Sequence, residues 1–147
     1  MFDHPIGTKG TIAIVKLIHS NKSLEEVDMR SCSIDSEGAC HLVQALYENT
    51  TLRDLNLALN PIGQEGAISL AAMLHTNTSL QTLELSHCAP LGEDGTQKLL
   101  EAMTVNSTLQ HLILPQECEE YVQNFPKLSQ VWNRIEYLLE YYSNHSD

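Results

Sequence analysis

The chain has 147 residues, 42% of them hydrophobic, and a formal net charge of −11. This length fits a single folded domain, and the balance of 8 basic against 19 acidic residues argues against binding to nucleic acid or to an anionic membrane surface. No window approaches the roughly 20 apolar residues of a membrane span and no export signal is visible, so we expect a cytoplasmic protein without a membrane partner.

The chain opens with half of a repeating unit. Gly10, Ile14 and Ile18 have the four-residue spacing that places side chains on one face of a helix, and Asn21 follows them. The same four positions recur as Gly38, Leu42, Leu46 and Asn49, as Gly66, Leu70, Leu74 and Asn77, and as Gly95, Leu99, Met103 and Asn106. We therefore predict one helix of roughly 10–12 residues in each of these segments, with the glycine allowing adjacent units to pack closely.

A strand pattern of the form L-x-x-L-x-L-x-x-(N/C) follows each predicted helix. Its copies are Leu24, Val27, Met29 and Cys32; Leu52, Leu55, Leu57 and Asn60; Leu80, Leu83, Leu85 and Cys88; and Leu109, Leu112, Leu114 and Glu117. They start 28, 28 and 29 residues apart, and the extra residue falls in the turn around Ala89, Pro90 and Leu91. Alternation predicts a strand with one buried face, and units too small to fold alone must stack on their neighbours.

Two polar positions of the repeat are predicted to be structural. The position of Cys32, Asn60 and Cys88 follows the strand, where backbone groups lack a sheet partner and need a side chain to bond them; Glu117 there marks the decay of the array. Asn21, Asn49, Asn77 and Asn106 lie in N-x-(S/T) sequons, as does Asn144. For the first four we favour a helix-ending role with a left-handed backbone over glycosylation.

The cysteines and histidines do not form a recognisable chemical site. Cys32 and Cys88 occupy the same position two units apart, which places them beyond the reach of a disulfide and favours a reducing compartment. Cys40 and Cys118 leave a surface thiol role open. The seven histidines have no metal-ligand spacing, and catalytic motifs are absent, so we expect no enzyme activity, no cofactor, no metal and no small-molecule substrate.

Strand alternation aims three residues of each unit away from the core, and these are the candidate partner-binding residues. They are Glu26, Asp28 and Arg30; Asp54, Asn56 and Ala58; Thr82, Glu84 and Ser86; and His111, Ile113 and Pro115. Four carboxylates against one arginine give this surface a formal charge of −3. A basic protein partner is therefore favoured, and the inner curve of a solenoid is the customary recognition surface. The alternative is that these residues are merely solvated.

The repeat stops after Cys118, so we predict an array over residues 1–118 and a mainly helical C-terminal cap over residues 119–147. Pro126 precedes an apolar stripe of helical spacing, formed by Leu128, Val131, Trp132, Ile135, Leu138, Leu139 and Tyr142. We favour a helix that covers the end of the core. A partner-binding or self-associating helix, with Trp132, Tyr137, Tyr141 and Tyr142 as anchors, is the alternative.

Together the two patterns resemble the ribonuclease-inhibitor-like class of leucine-rich repeats over roughly residues 5–117. They look most like the C-terminal repeats of NOD-like receptors, since N-P-I-G-x-E-G at Asn60 to Gly66 is similar to a segment of those arrays. The resemblance implies an α/β fold, a right-handed leucine-rich repeat solenoid with parallel strands on the concave face and helices on the convex face. The C-terminal capping helix is predicted from the apolar stripe, because the final segment departs from the family pattern.

The resemblance also implies a non-enzymatic protein-protein interaction module or scaffold that uses the concave face. The chain would then be a fragment of a longer array of the NOD-like-receptor type. Two alternatives stay open: a regulator of a small GTPase of the Ran GTPase-activating type, and a tropomodulin-like actin-capping module.

Overall fold

The computed structural model describes residues 6–88, 90–126 and 134, and in this part helices and strands alternate along the chain. The elements in order are α1 (Gly7–Ser20), β1 (Glu26–Asp28), α2 (Ser36–Glu48), β2 (Asp54–Asn56), α3 (Gly63–Leu74), β3 (Thr82–Glu84), α4 (Gly92–Val105), β4 (His111–Ile113), a 3₁₀ helix (Gln116–Cys118) and α5 (Glu119–Gln123). The predicted alternation of strands and helices is confirmed. Helices α1 to α4 have 12 to 14 residues, slightly more than expected.

The four strands form one parallel sheet in the order β1-β2-β3-β4. Val27, Leu55, Leu83 and Leu112 are aligned across it, at the register that the repeat predicts. Because consecutive strands run in the same direction, the chain must cross back between them, and helices α2, α3 and α4 make these connections. The prediction of an α/β leucine-rich repeat solenoid is therefore confirmed.

The core lies between the sheet and helices α1 to α4. The central leucines of β2, β3 and β4 are at most 1% exposed, and the repeated helix positions Leu42, Leu70 and Leu99 are fully buried. Adjacent units approach closely because of the repeated glycines. A Cβ on Gly95 would lie 2.9 Å from the Ala67 Cβ and 3.3 Å from the Gln64 carbonyl, so no larger residue fits without a shift.

The repeated asparagines join neighbouring units through their side chains. Each Oδ1 accepts the backbone N–H groups that lead into the next strand, as Asn77 does from Ser79 (3.0 Å) and Leu80 (2.8 Å). In three of the four, Nδ2 donates to the helix-end carbonyl of the preceding unit: Asn49 to Ile18 at 3.0 Å, Asn77 to Leu46 at 2.9 Å and Asn106 to Leu74 at 2.7 Å. These buried amides connect segments that no backbone ladder joins.

The prediction of a left-handed backbone at these asparagines is wrong. Asn21, Asn49 and Asn106 are helix C-caps in the extended region, with φ between −85° and −79° and ψ between 121° and 129°. At Asn49 and Asn106 the extended backbone directs the side chain towards the preceding unit, where Nδ2 donates to the carbonyls of Ile18 and Leu74. Asn49, Asn77 and Asn106 are only 5–6% exposed, so the folded chain has no room for a glycan on their nitrogens.

The predicted structural role of Asn60 is confirmed. Its Oδ1 accepts from the backbone of Cys32 (2.9 Å) and Ile34 (3.0 Å), and its Nδ2 donates to the Met29 carbonyl at 2.8 Å. Cys88 fills the same position in the next unit and donates its Sγ to the Leu57 carbonyl at 2.9 Å.

The last unit departs from this scheme. Glu117, predicted for the position, is exposed, and Cys118 is 1% exposed instead, with its Sγ 3.2 Å from the Thr96 Oγ1. The 3₁₀ turn places Cys118 in the core where the repeat spacing predicts Glu117. A carboxylate without a partner is thereby kept out of the core. Cys118 therefore has no surface role. Cys32, Cys40, Cys88 and Cys118 are all free thiols, as predicted for the first and third.

The C-terminal segment is described only to Pro126 and at Arg134, so the predicted apolar stripe and its aromatic anchors lie outside the described residues. The boundary after Cys118 stays a prediction. Arg134 donates to the carbonyls of Leu109 and Met103, the latter at 2.6 Å. Met103 follows Ile18, Leu46 and Leu74 in the repeat, so the guanidinium bonds the carbonyl that an asparagine bonds in each earlier unit. Desolvation lowers the pKa of Arg134.

Candidate protein-binding face

The parallel register arranges the candidate residues in two rows across the sheet, which we call the strand face. The first row is Glu26, Asp54, Thr82 and His111, and the second is Asp28, Asn56, Glu84 and Ile113. Neighbours within a row are about 4.8 Å apart, the spacing of hydrogen-bonded strands. The repeat therefore converts residues 28 or 29 positions apart in sequence into one continuous surface.

Arg30 neutralises one end of the second row. Its Nε lies 3.1 Å from each carboxylate oxygen of Asp28, and its NH2 group lies 2.8 Å from Oδ2. The Asp28 side chain also accepts from the Arg30 backbone N–H at 3.1 Å. The side-chain hydrogen bond from Arg30 lowers the pKa of Asp28, the opposing effect of partial burial being smaller. Both residues are exposed, and their charges largely cancel at this corner.

Glu84 holds the centre of the second row together. Its Oε2 accepts from the Asn56 Nδ2 at 3.0 Å, and its Oε1 accepts from the Ser86 hydroxyl at 2.9 Å. Asn56 in turn accepts from the Ala58 backbone N–H at 3.0 Å. These bonds fix the side-chain positions without neutralising the carboxylate, so the surface is negative and ordered before any partner arrives.

Glu26 and Asp54 are the two carboxylates of the first row. Within the part of the chain that the structure describes, no hydrogen bond or ion pair uses either side chain. They lie beside each other in the first row and border a shallow depression of about 380 Å³, which Val27, Leu55 and Thr82 also line. Adjacent like charges of this kind attract a basic group, which reduces their mutual repulsion.

Some predicted binding residues are not accessible. Ala58 is 3%, Ser86 5% and Ile113 9% exposed, and Pro115 is also buried. Ala58 and Ser86 lie in turns, because the strands end at Asn56 and Glu84 and the alternation of side chains ends with them. The accessible candidates are Glu26, Asp28, Arg30, Asp54, Asn56, Thr82, Glu84 and His111. Their binding role stays a prediction.

Sequence reasoning missed Leu59, which is 49% exposed at the rim of the strand face. Its φ of 60° is left-handed, and Ser31 and His87, at the same repeat position, have φ of 54° and 57°. A large apolar side chain is unusual in that conformation. The sequence did contain a signal for this exposed leucine. Leu59 is apolar at a repeat position where Ser31 and His87 are polar.

Two further findings concern other classes of function. Among residues 6–88, 90–126 and 134, no three His, Cys, Asp or Glu side chains are grouped as a metal ion requires. None of the helices in these ranges combines the length and hydropathy needed to cross a bilayer.

Residues 20–39, 48–71 and 76–100 match the leucine-rich repeat family. These segments are leucine-rich repeats. Each match contains one strand of the sheet, β1, β2 or β3, and the start of the helix that follows it. No curated protein sequence matches the chain.

The chain is similar to two solved structures. Actin-binding site 2 of leiomodin-1 is 16% identical, covering 92% of this chain and 90% of that one, with a TM-score of 0.61. The tropomodulin C-terminal domain of Caenorhabditis elegans is 15% identical over 90% of this chain and 98% of that one, with a TM-score of 0.49. At these identities the first likeness supports the repeat fold alone. None of the matches confirms the resemblance to NOD-like receptors.

Proposed function

We propose that the chain is a non-enzymatic protein-interaction module that binds a basic protein segment on its strand face. The observation that carries the proposal is the pair Glu26 and Asp54, two adjacent carboxylates without a partner among the described residues. Beside them, hydrogen bonds hold Asp28 to Arg30 and Asn56 to Glu84. A preorganised acidic surface gives up little side-chain freedom when it binds. Lys or Arg side chains of a partner would occupy the depression between these carboxylates.

The compartment and partner class belong to the same proposal. Four free thiols fit a reducing compartment, for which we propose the cytoplasm. A net charge of −11 disfavours nucleic acid and anionic membranes and favours a protein with a basic segment. The strand face and Arg30 together offer eight accessible residues, fewer than the roughly 20–30 of a standard interface, so we expect weak and salt-sensitive binding.

The test compares three proteins in affinity capture from lysate, followed by titration of the captured partner. The first is wild type, the second carries Glu26→Lys with Asp54→Lys, and the third carries Glu48→Lys with Glu101→Lys. The third variant makes the same charge change at exposed positions of α2 and α4. We expect loss of the partner only with the second protein, and weaker wild-type binding as salt rises. Equal binding by the second and third proteins would place the site elsewhere.

A tropomodulin-like actin-binding function is the second candidate. It is favoured by the structural likeness to a domain described as an actin-binding site, which extends over 92% of this chain. The chain would then co-sediment with actin filaments or slow their elongation, and the Glu26→Lys, Asp54→Lys variant would show whether the strand face is involved. Unchanged actin sedimentation and elongation at saturating protein would exclude it. Regulation of a small GTPase stays a prediction, tested by nucleotide hydrolysis.

A further inference from the structure

The first unit exposes core positions that every later unit buries. Val27 is half-buried, whereas its equivalents Leu55, Leu83 and Leu112 are at most 1% exposed. The same holds for Ile6, Ile14 and Leu24, whose equivalents in the later units are all buried. The apolar face on which β2 packs against β1 is thus repeated on the open side of β1, without a described neighbour to cover it.

The backbone of β1 is also prepared for another strand. Asp54 N donates to the Glu25 carbonyl, Thr82 N to that of Arg53 and His111 N to that of Gln81, each at 3.0 Å. By register, Glu26 N points to the open side in the same way. Met29 N donates to the Asn56 carbonyl and Leu57 N to that of Glu84, both at 2.9 Å, so the Asp28 carbonyl points there as well. A parallel strand would pair both groups.

A third observation comes from Asn21. Its Oδ1 accepts from Ser23 N at 2.8 Å and Leu24 N at 2.7 Å, as in the later units. Its Nδ2, however, has no acceptor in the described ranges 6–88, 90–126 and 134. At the opposite end Arg134 bonds the Met103 carbonyl. The two ends therefore differ. At the C-terminal end the Met103 carbonyl is bonded by Arg134, whereas at the N-terminal end the Asn21 Nδ2 has no described acceptor.

We propose that the open side of β1 is a docking site for a parallel strand of the L-x-x-V-x-M type, which would extend the sheet and cover the exposed apolar face. We infer this occupant because the same parallel pairing of neighbouring strands occurs three times in the sheet, and the open side of β1 continues that series. Such a strand would place apolar residues on Val27 and Leu24, pair the backbone of Glu26 and Asp28, and present a carbonyl to the Asn21 amide.

A second copy of the chain fits this surface poorly. Two copies of β1 related by a two-fold axis at Val27 would run antiparallel, with Glu26 of each opposite Asp28 of the other, an arrangement of like charges that destabilises a strand pair. Head-to-tail stacking would need an open face at β4. Leu109, Leu112 and Leu114 are at most 1% exposed there, and Arg134 already bonds the Leu109 carbonyl.

The test supplies the strand in the natural register. Met1 precedes Met29 by 28 residues, so a copy of residues 21–28 fused directly before Met1 places its leucine and valine one repeat ahead of Leu24 and Val27. The control carries the same extension with that leucine and valine replaced by serine. Hydrogen exchange at the Glu26 amide and the melting temperature are measured for both, with light scattering on the unextended chain.

We expect the apolar extension to slow exchange at Glu26 about tenfold relative to the control, as a newly formed hydrogen bond would, and to raise the melting temperature by roughly 5 °C. Equal exchange and melting for the two extensions would overturn the proposal. A stable dimer of the unextended chain, with the Glu26 amide already protected, would also overturn it by assigning the site to a second copy. Neither result bears on the strand face as a partner site.

Discussion

Replacing Asn77 with alanine tests whether side-chain amides join adjacent units. Asn77 is 5% exposed, and its Nδ2 donates to Leu46 O at 2.9 Å and to Asn49 O at 3.4 Å. Its Oδ1 accepts the local N–H groups of Ser79 and Leu80. Asn21 is the matched control. It makes the same two local bonds, is only partly buried, and donates to no residue of a preceding unit that the structure describes.

The magnitude follows from these bonds. A typical hydrogen bond contributes a net 0.5–1.5 kcal/mol, and a buried group left without a partner costs about 1–3 kcal/mol. Asn77→Ala loses both local bonds and strands the Leu46 carbonyl, so the free energy of unfolding should fall by roughly 3–5 kcal/mol. Asn21→Ala loses only solvent-accessible local bonds and should lower it by about 1 kcal/mol. The difference measures the bond between units.

Urea denaturation followed by circular dichroism gives both free energies, provided that the slope with denaturant is unchanged. The reasoning is refuted if Asn21→Ala and Asn77→Ala lower the free energy of unfolding equally, because the bonds to the preceding unit would then contribute nothing. If the two variants differ by less than about 1 kcal/mol in the free energy of unfolding, the repeated asparagines stabilise the local turns and not the contact between units.

Three further predictions concern packing, backbone strain and thiol reactivity. Gly95→Ala should lower the free energy of unfolding by about 1–3 kcal/mol in urea denaturation, since the new Cβ would overlap Ala67; an unchanged midpoint would contradict the close packing. Leu59→Asn should raise it by roughly 1 kcal/mol, because asparagine tolerates φ of 60° better than leucine does; a loss of stability would show that the leucine is held by packing. Burial raises the pKa of Cys88 to about 11, so alkylation at pH 8 should modify Cys40 well before Cys88, as mass spectrometry would show. Because that pKa is above the 9.0 of a free thiol, the buried neutral thiol of Cys88 makes its full contribution to the free energy of unfolding below pH 9. This contribution is lost as the pH rises through about 11.

The repeat made the strands, their register and the helices predictable from sequence. Residues 28 or 29 positions apart experience the same surroundings, so a position such as Leu55 can be interpreted from Leu83. The predictions fail where this equivalence ends. Glu117 has the correct spacing, but a carboxylate there would be buried without a partner, and the 3₁₀ turn places Cys118 in the core instead.

The binding face was only partly predictable for a related reason. Alternation holds for the three residues of each strand and not for the turns, so Ala58 and Ser86 were assigned to a surface that they do not reach. Side-chain bonds such as those of Arg30 to Asp28 and of Asn56 to Glu84 decide which carboxylates remain available. Arg134 follows Met103 by 31 residues, the separation of Asn49 from Ile18 and of Asn77 from Leu46, but an arginine does not match the asparagine of the pattern, so its role was missed.

Carboxylate footprinting of the chain with its captured partner tests the proposed binding face most directly. Carbodiimide coupling labels accessible carboxylates, and peptide mass spectrometry reports the labelling at each position with and without the partner. The account predicts that bound partner protects Glu26 and Asp54 while Glu48 and Glu101 on the helices stay labelled. Protection of Glu48 and Glu101 with unchanged labelling at Glu26 and Asp54 would contradict it, because the partner would then lie on the helical side of the solenoid.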